Sequence, residues 1–331
     1  MLDALFSLPI MTILLIPALS SYRTTLNFIF FYMTWTTLVL SHTPLRVELF
    51  GTVAVRVIFC FVPSLLFFLF DILTPSAAAV IKVHGEAGLP SGGKRARLRR
   101  EIFKVAGWSL LNIFLSVAVQ AAIEKLRIDG MRMRSAVKVS IKLPMPFEIF
   151  KGLLVTLLVR EVLTYIIHRY ILHSRDRRVS FITKTHRNWY HTLRVPFPLT
   201  AHYDHPALYL LGTFIPTYVP VALFRIHMLT YLFYMALVSL EETFAFSGYS
   251  VMPGKFILGG IARRTEIHLF TNDSNFGRWG LVDWICGTLT VDDDDEDGGH
   301  RRELADKVQR AVDESTSRKF YERSRLKKKG N

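Results

Sequence analysis

Long apolar segments separated by basic clusters constrain this chain more than any other feature. Residues 49–73, 102–123 and 147–172 each run past twenty residues with few charges. At 1.5 Å per residue that length lets a helix cross the roughly 30 Å hydrocarbon core of a bilayer. Residues 26–40 form a shorter span. Residues 207–240 are long enough for a tight hairpin of two short helices, broken near Pro216, Pro220 and Arg225. A mean hydropathy of +0.28 and a 50% share of hydrophobic residues exclude disorder and collagen-like repeats. The expected fold class is all-α: a multi-span transmembrane helical bundle.

Charge supports the same reading. Lys and Arg number 41 against 27 Asp and Glu, a formal net charge of +14. Such an excess points to nucleic acid or to an anionic membrane. The basic clusters flank apolar spans here, so the membrane is the expected partner and nucleic acid is not. Arg56 lies inside the second span and must snorkel or face protein. Residues 74–101 hold a Gly/Pro-rich loop carrying Lys94, Arg95, Arg97, Arg99 and Arg100. Residues 124–146 are equally basic. One full span between these loops places them on opposite sides. The expectation is therefore that 102–123 is re-entrant or that the second loop lies as an amphipathic surface helix.

The ends carry less information. Residues 5–20 are apolar but begin without basic charge, which suggests a membrane-embedded or interfacial segment rather than a signal peptide. Residues 292–297 are an acidic run, followed by Leu304, Val308 and Val312 at amphipathic-helix spacing. Cys60 and Cys286 cannot build a disulfide framework. The resulting organisation is 1–101, N-terminal membrane segments and basic loop; 102–148, third span and basic amphipathic loop; 149–290, a His-bearing domain; and 291–331, acidic loop, short helix and basic tail.

Six of the 11 histidines fall into an ordered set: His168 and His173, His186 and His191, then His205 and His268. Imidazole suits iron, zinc and copper, and a cluster just beyond a membrane span would let a metal meet a lipid chain. Both pairs have i, i+5 spacing, about 140° apart on an α-helix. They converge only if the helix ends or distorts between them. His202 reads as a surface neighbour of His205, His227 belongs to no cluster, and His42, His84 and His300 read as solvated.

The pieces Tyr165-x2-His168-Arg169-x3-His173, Thr185-His186-x4-His191, Asp204-His205-Pro206, Ser247-Gly248-Tyr249, and Asn275-Phe276-Gly277 closing in Asp283-Trp284-x2-Gly287-Thr288 resemble the fatty acid hydroxylase/sterol desaturase superfamily over about residues 150–290. The resemblance implies a multi-pass protein of the endoplasmic reticulum membrane, an all-α bundle with a cytosolic His-rich metal-site cap. It implies a non-haem metal centre of iron, two ions in the family, with zinc possible in purified protein. It also implies dioxygen-dependent hydroxylation or desaturation of a sterol or fatty acyl chain, with electrons from cytochrome b5 or a reductase. His168, His173, His186, His191, His205 and His268 are the implied metal ligands; no catalytic acid or base is implied.

The sequence departs from the family pattern at two clusters. Trp189 and Tyr190 occupy the middle of the second, and Phe246 stands where a histidine normally precedes Ser-Gly-Tyr. Asp204, Glu241, Glu242 and Asp273, with Glu161 and Glu266, are the carboxylates available as substitute ligands. The alternative function is a catalytically inactive descendant that binds lipid or scaffolds partner enzymes; a transporter has no repeat to support it. Lys328 and Lys329 resemble a di-lysine retrieval signal, which requires a cytosolic C-terminus.

Overall fold

A computed structural model describes residues 22–90, 100–193, 196, 197, 199–250 and 255–290. The segment 5–20, the cations 94–99, the acidic run, the helix expected around Leu304 and the Lys328/Lys329 pair lie outside the described residues. No strand occurs among the described residues beyond the isolated bridges Lys82–Tyr249 and Lys138–His227.

The architecture is a helical bundle. Helix α1 (Tyr22–Ser41) leads into α2 (Pro44–Arg56), which continues through a π-turn (Val57–Phe61) into α3 (Val62–Leu73). A short α4 (Pro75–Ile81) follows, then α5 (Arg100–Lys125) with a terminal π-turn (Leu126–Gly130). Helix α6 (Pro146–Ile167) has proline in its first turn, where a missing N–H costs nothing, and Glu148 accepts the Met145 N–H at 2.9 Å. The remainder is α7 (Ser180–Trp189), α8 (Pro206–Tyr209), α9 (Ile215–Phe224), α10 (Met228–Ala245), α11 (Gly260–Thr271) and α12 (Leu281–Ile285).

Pro44–Leu73, Ile102–Gly130 and Pro206–Phe224 are long and apolar enough to cross a membrane. The expected hairpin is present, but neither proline breaks it. Pro216 sits in the first turn of α9 and Pro220 inside it; the break comes at Arg225, in the left-handed region at φ 45°. The expected fourth span forms a helix of the right length, yet it carries Lys151, Arg160 and Glu161 and falls outside the three apolar spans. Arg160 and Glu161 are buried in protein.

Polarity is inverted relative to a water-soluble bundle. Phe50, Leu73 and Phe114 are more than 70% exposed, while Glu48, Asp71, Asn112 and Glu124 are fully buried. Apolar surface on this scale is tolerated when lipid is the solvent. The core centres on α10, where Tyr231, Tyr234 and Val238 pack with Trp35, Val47 and Val221. Hydrogen bonds tie the buried polar groups across helices. Gln120 donates to Glu48 at 2.6 Å, Thr52 and Tyr231 hydroxyls meet at 2.8 Å, and Tyr218 donates to Glu124 at 2.6 Å. Arg56 does not snorkel: it faces protein and pairs with Glu242 at 2.5 Å.

The fold also decides the topology. Ile102–Gly130 is a continuous helix, neither re-entrant nor short, and residues 131–145 are irregular rather than an amphipathic helix. That loop is pinned to one end of the bundle: Lys138 N–H donates to Ile226 O at 2.9 Å and Met228 N–H to Lys138 O at 3.0 Å. The 74–90 segment sits at the other end, where Val83 N–H donates to Gly248 O and Ser250 N–H to Ile81 O. The 74–90 segment and the 131–145 loop therefore cap opposite ends. Helix α6, about 33 Å long for its 22 residues, runs from one to the other.

Candidate metal centre

The two i, i+5 histidine pairs converge by two different distortions. At the end of α6 the backbone widens into a π-turn (His168–Leu172), closed by the His173 N–H donating to His168 O at 2.9 Å. A π-turn bonds i to i+5, so residues five apart come together, and such turns recur at functional sites. The His168 and His173 ring centroids lie 5.0 Å apart. In the second pair α7 stops at Trp189 and tightens into a 3₁₀ turn (Tyr190–Thr192), which brings His186 and His191 to 5.0 Å.

The pairs meet each other. One nitrogen from each of His168, His173, His186 and His191 lies within 4.8 Å of the others. His268, in the last turn of α11, adds a fifth ring at 4.4 Å from His168, 4.9 Å from His173 and 5.0 Å from His191.

The hydrogen bonding of these rings is that of ligands. His168 donates through Nδ1 to Phe276 O at 3.0 Å, His186 to Asp204 Oδ2 at 2.9 Å, and His268 to Ser274 O at 2.7 Å. Each bond fixes the tautomer and leaves the Nε2 lone pair for a metal. Those three Nε2 atoms, with Nδ1 of His173 and of His191, are buried and have no hydrogen-bond partner. A buried polar atom left unpaired costs about 1–3 kcal/mol, so the three unpaired Nε2 atoms of His168, His186 and His268 are explained by an ion that accepts their lone pairs. The Nε2 atoms of His173 and His191 stand 3.1 Å apart. Two nitrogens at about 2.1 Å from one ion, near 90–109°, are separated by roughly 3.0–3.4 Å. Burial, reinforced by the neighbouring imidazoles, pushes His173 far below the ordinary histidine range and His191 down to about 2. Burial likewise brings His268 to about 3. All three are held in the neutral form that binds metal.

A closing clasp orients the fifth ring and covers the site. Asp283 accepts the Phe276 and Gly277 N–H groups at 2.8 and 2.7 Å, and Thr288 Oγ1 donates to it at 2.8 Å. Asn275 exchanges two bonds with Thr290. The Asn-Phe-Gly and Asp-Trp-x2-Gly-Thr pieces are thus one unit that lays Phe276 against His168, His173 and His268. Gly277 is required there, because a Cβ would come within 2.5 Å of Glu161 Oε1.

The remaining candidates are placed elsewhere. His205 packs on Trp189 at 5.4 Å and stays outside the ring cluster. Asp204 stands behind His186 as its hydrogen-bond acceptor. Glu241 accepts from Arg160 at 3.0 Å and from Trp279 Nε1 at 3.0 Å, and Glu242 is taken by Arg56. Asp273 is exposed. Glu161 accepts the Arg278 and Trp279 N–H groups, and Glu266 pairs with His84, which is half-buried rather than solvated. His202 is also buried, not superficial; it bonds Tyr209 at 3.0 Å, and burial lowers it to about 4.

One contributor went unread in the sequence, and a second, Tyr190, was read there only as a gap in the histidine pattern. Asn112, the lone carboxamide near the middle of its span, donates to His202 O and Asp204 O; a polar residue inside an apolar span was its only signal. Tyr190 stacks on His186 at 4.9 Å and 15° and packs against Phe246, over which the Arg278 guanidinium stands at 5.6 Å. Asp204→Ala should lower metal affinity about 10- to 100-fold, the usual loss when a ligand's outer partner is removed. Competition with a chelator on the purified protein measures it.

Residues 153–288 match the fatty acid hydroxylase family model. No solved structure matches the chain. The match contains the whole histidine cluster, its Asp204 support and the clasp through Asp283 and Thr288. Residues 153–288 of this membrane-bundle chain therefore belong to the fatty acid hydroxylase family.

Proposed function

We propose that the protein is a membrane-bound, iron-dependent oxidoreductase that hydroxylates or desaturates a lipid, a sterol or a fatty acyl chain. The observation that carries this reading is the convergence of one nitrogen from each of His168, His173, His186 and His191, with the His268 ring beside them, within the family segment. His168, His173, His186, His191 and His268 fit one ion. A second ion would lack ligands, because Tyr190 and Phe246 fill the positions where the family places histidines, and the Arg278 cation lies over Phe246. A bound iron would supply activation of dioxygen for attack on an unactivated C–H bond.

The chain's own residues do the rest. Asp204 and the Phe276 carbonyl hold the tautomers, and Phe276 and Tyr190 keep water from the rings. The reading includes cytochrome b5 or a reductase as electron donor and residence in the endoplasmic reticulum. It includes a cytosolic C-terminus carrying Lys328 and Lys329.

The test compares cells expressing the protein with cells expressing His186→Ala, under isotope-labelled dioxygen. Mass spectrometry of extracted lipids should show a labelled hydroxyl, or the loss of two hydrogens, only with the unaltered protein. Identical lipid profiles, with both proteins folded and in the membrane, would leave the lipid-binding descendant as the better account.

A further inference from the structure

At the end of the bundle opposite the histidine cluster lies a cavity of about 400 Å³, lined by Lys138, Lys142, Lys151 and Arg225 with a single carboxylate, Glu148. That volume falls in the range of small-molecule sites. None of the four cations has an ion-pair partner among the described residues. Glu148 is occupied in capping α6 through the Met145 N–H. The walls are held in place: the Lys138 backbone is bridged to Ile226 and Met228, and Arg225 Nε donates to Ser135 O at 3.0 Å.

The position of the cavity says what it takes. It sits where the apolar helix Pro206–Phe224 ends and α6 begins, and at the end of a helix long and apolar enough to cross a bilayer hydrocarbon would give way to headgroups. Val155 and Phe224 form part of its wall. Beside them, on the next face of α6, Phe147 and Phe150 are 73% and 62% exposed. A cationic recess at the rim thus continues into a surface suited to acyl chains. A free anion would need only the recess, whereas an anionic lipid uses both.

Basic pockets between membrane helices bind anionic headgroups. We propose that this cavity is a binding site for the phosphate headgroup of an anionic phospholipid, with its chains lying along α6 and α9. The ligand is a resident lipid rather than the substrate of the histidine site, because the length of α6 separates the two.

The test titrates the detergent-solubilised full chain with fluorescent phosphatidylglycerol. Saturable binding is expected, with phosphatidylcholine binding far more weakly. The triple variant Lys138→Gln, Lys142→Gln, Lys151→Gln should bind about 100-fold more weakly, roughly fivefold for each cation removed. The corresponding Lys→Arg triple variant should retain binding, which separates lost charge from lost fold. A charge-matched control at the histidine end, Arg175→Gln, Arg177→Gln, Arg178→Gln, should bind as the unaltered chain does. Equal weakening by that control would show diffuse attraction and overturn the site. Equal affinity for phosphatidylcholine would overturn the anionic assignment. Displacement of the lipid by millimolar inorganic phosphate would make the ligand a soluble anion and overturn the lipid assignment.

Discussion

His186→Ala should reduce the metal content of the purified protein from about one ion per chain to less than about one tenth. His186 is 2% exposed and contributes one of four nitrogens that lie within 4.8 Å of one another, and its ring lies about 5 Å from those of His173 and His191. Removing it leaves three of those nitrogens and the neighbouring His268 ring, opens the wall on which Tyr190 stacks, and strands the Asp204 carboxylate. Metal affinity depends on the full count of deprotonated donors in a preformed site. His205→Ala is the decisive comparison. That residue belongs to the same motif run, yet it packs on Trp189 outside the cluster, so its loss should leave metal content unchanged. Elemental analysis of both variants, alongside their elution as folded protein, measures the outcome. Equal loss from both would mean the cluster does not define the site.

The second large effect is on stability. Arg56→Leu should destabilise the fold by about 3–5 kcal/mol, because it leaves Glu242 charged, buried and without its closest partner. Arg56 donates to Glu242 at 2.5 Å and to Ser239 at 3.3 Å, while His202 Nε2 and Arg160 stand farther from Glu242, at 3.7 and 4.0 Å. The double variant Arg56→Leu, Glu242→Gln should recover most of the loss, since the penalty is that of an uncompensated charge rather than of a missing attraction. Thermal unfolding in one detergent, read on the two variants in parallel, distinguishes these. A double variant as unstable as the single one would show that Arg56 acts by packing its alkyl chain.

These two residues show where reading the sequence stops. Arg56 within an apolar span admitted two outcomes, snorkelling or a protein partner. Only the approach of α10 to α2, residues 186 apart in sequence for the pair itself, selected the second. The His168/His173 and His186/His191 spacings stated a geometric requirement, that the helix end or distort between the rings. A π-turn in one pair and a 3₁₀ turn in the other meet it. Backbone distortions of that kind arise from tertiary packing and leave little trace in local propensity.

The alternation of apolar and basic segments was enough to determine a helical membrane protein, because a bilayer accepts few other backbones. The ordered motifs were enough to determine the family segment, because each piece has a fixed local job, such as Asp283 receiving two backbone N–H groups. Which histidines share one cavity, why His205 is excluded while His268 joins, and which ends of the bundle the 74–90 and 131–145 segments cap were decided by the tertiary structure. Those properties depend on contacts between residues far apart in the chain, and spacing along a sequence carries no information about where such residues meet.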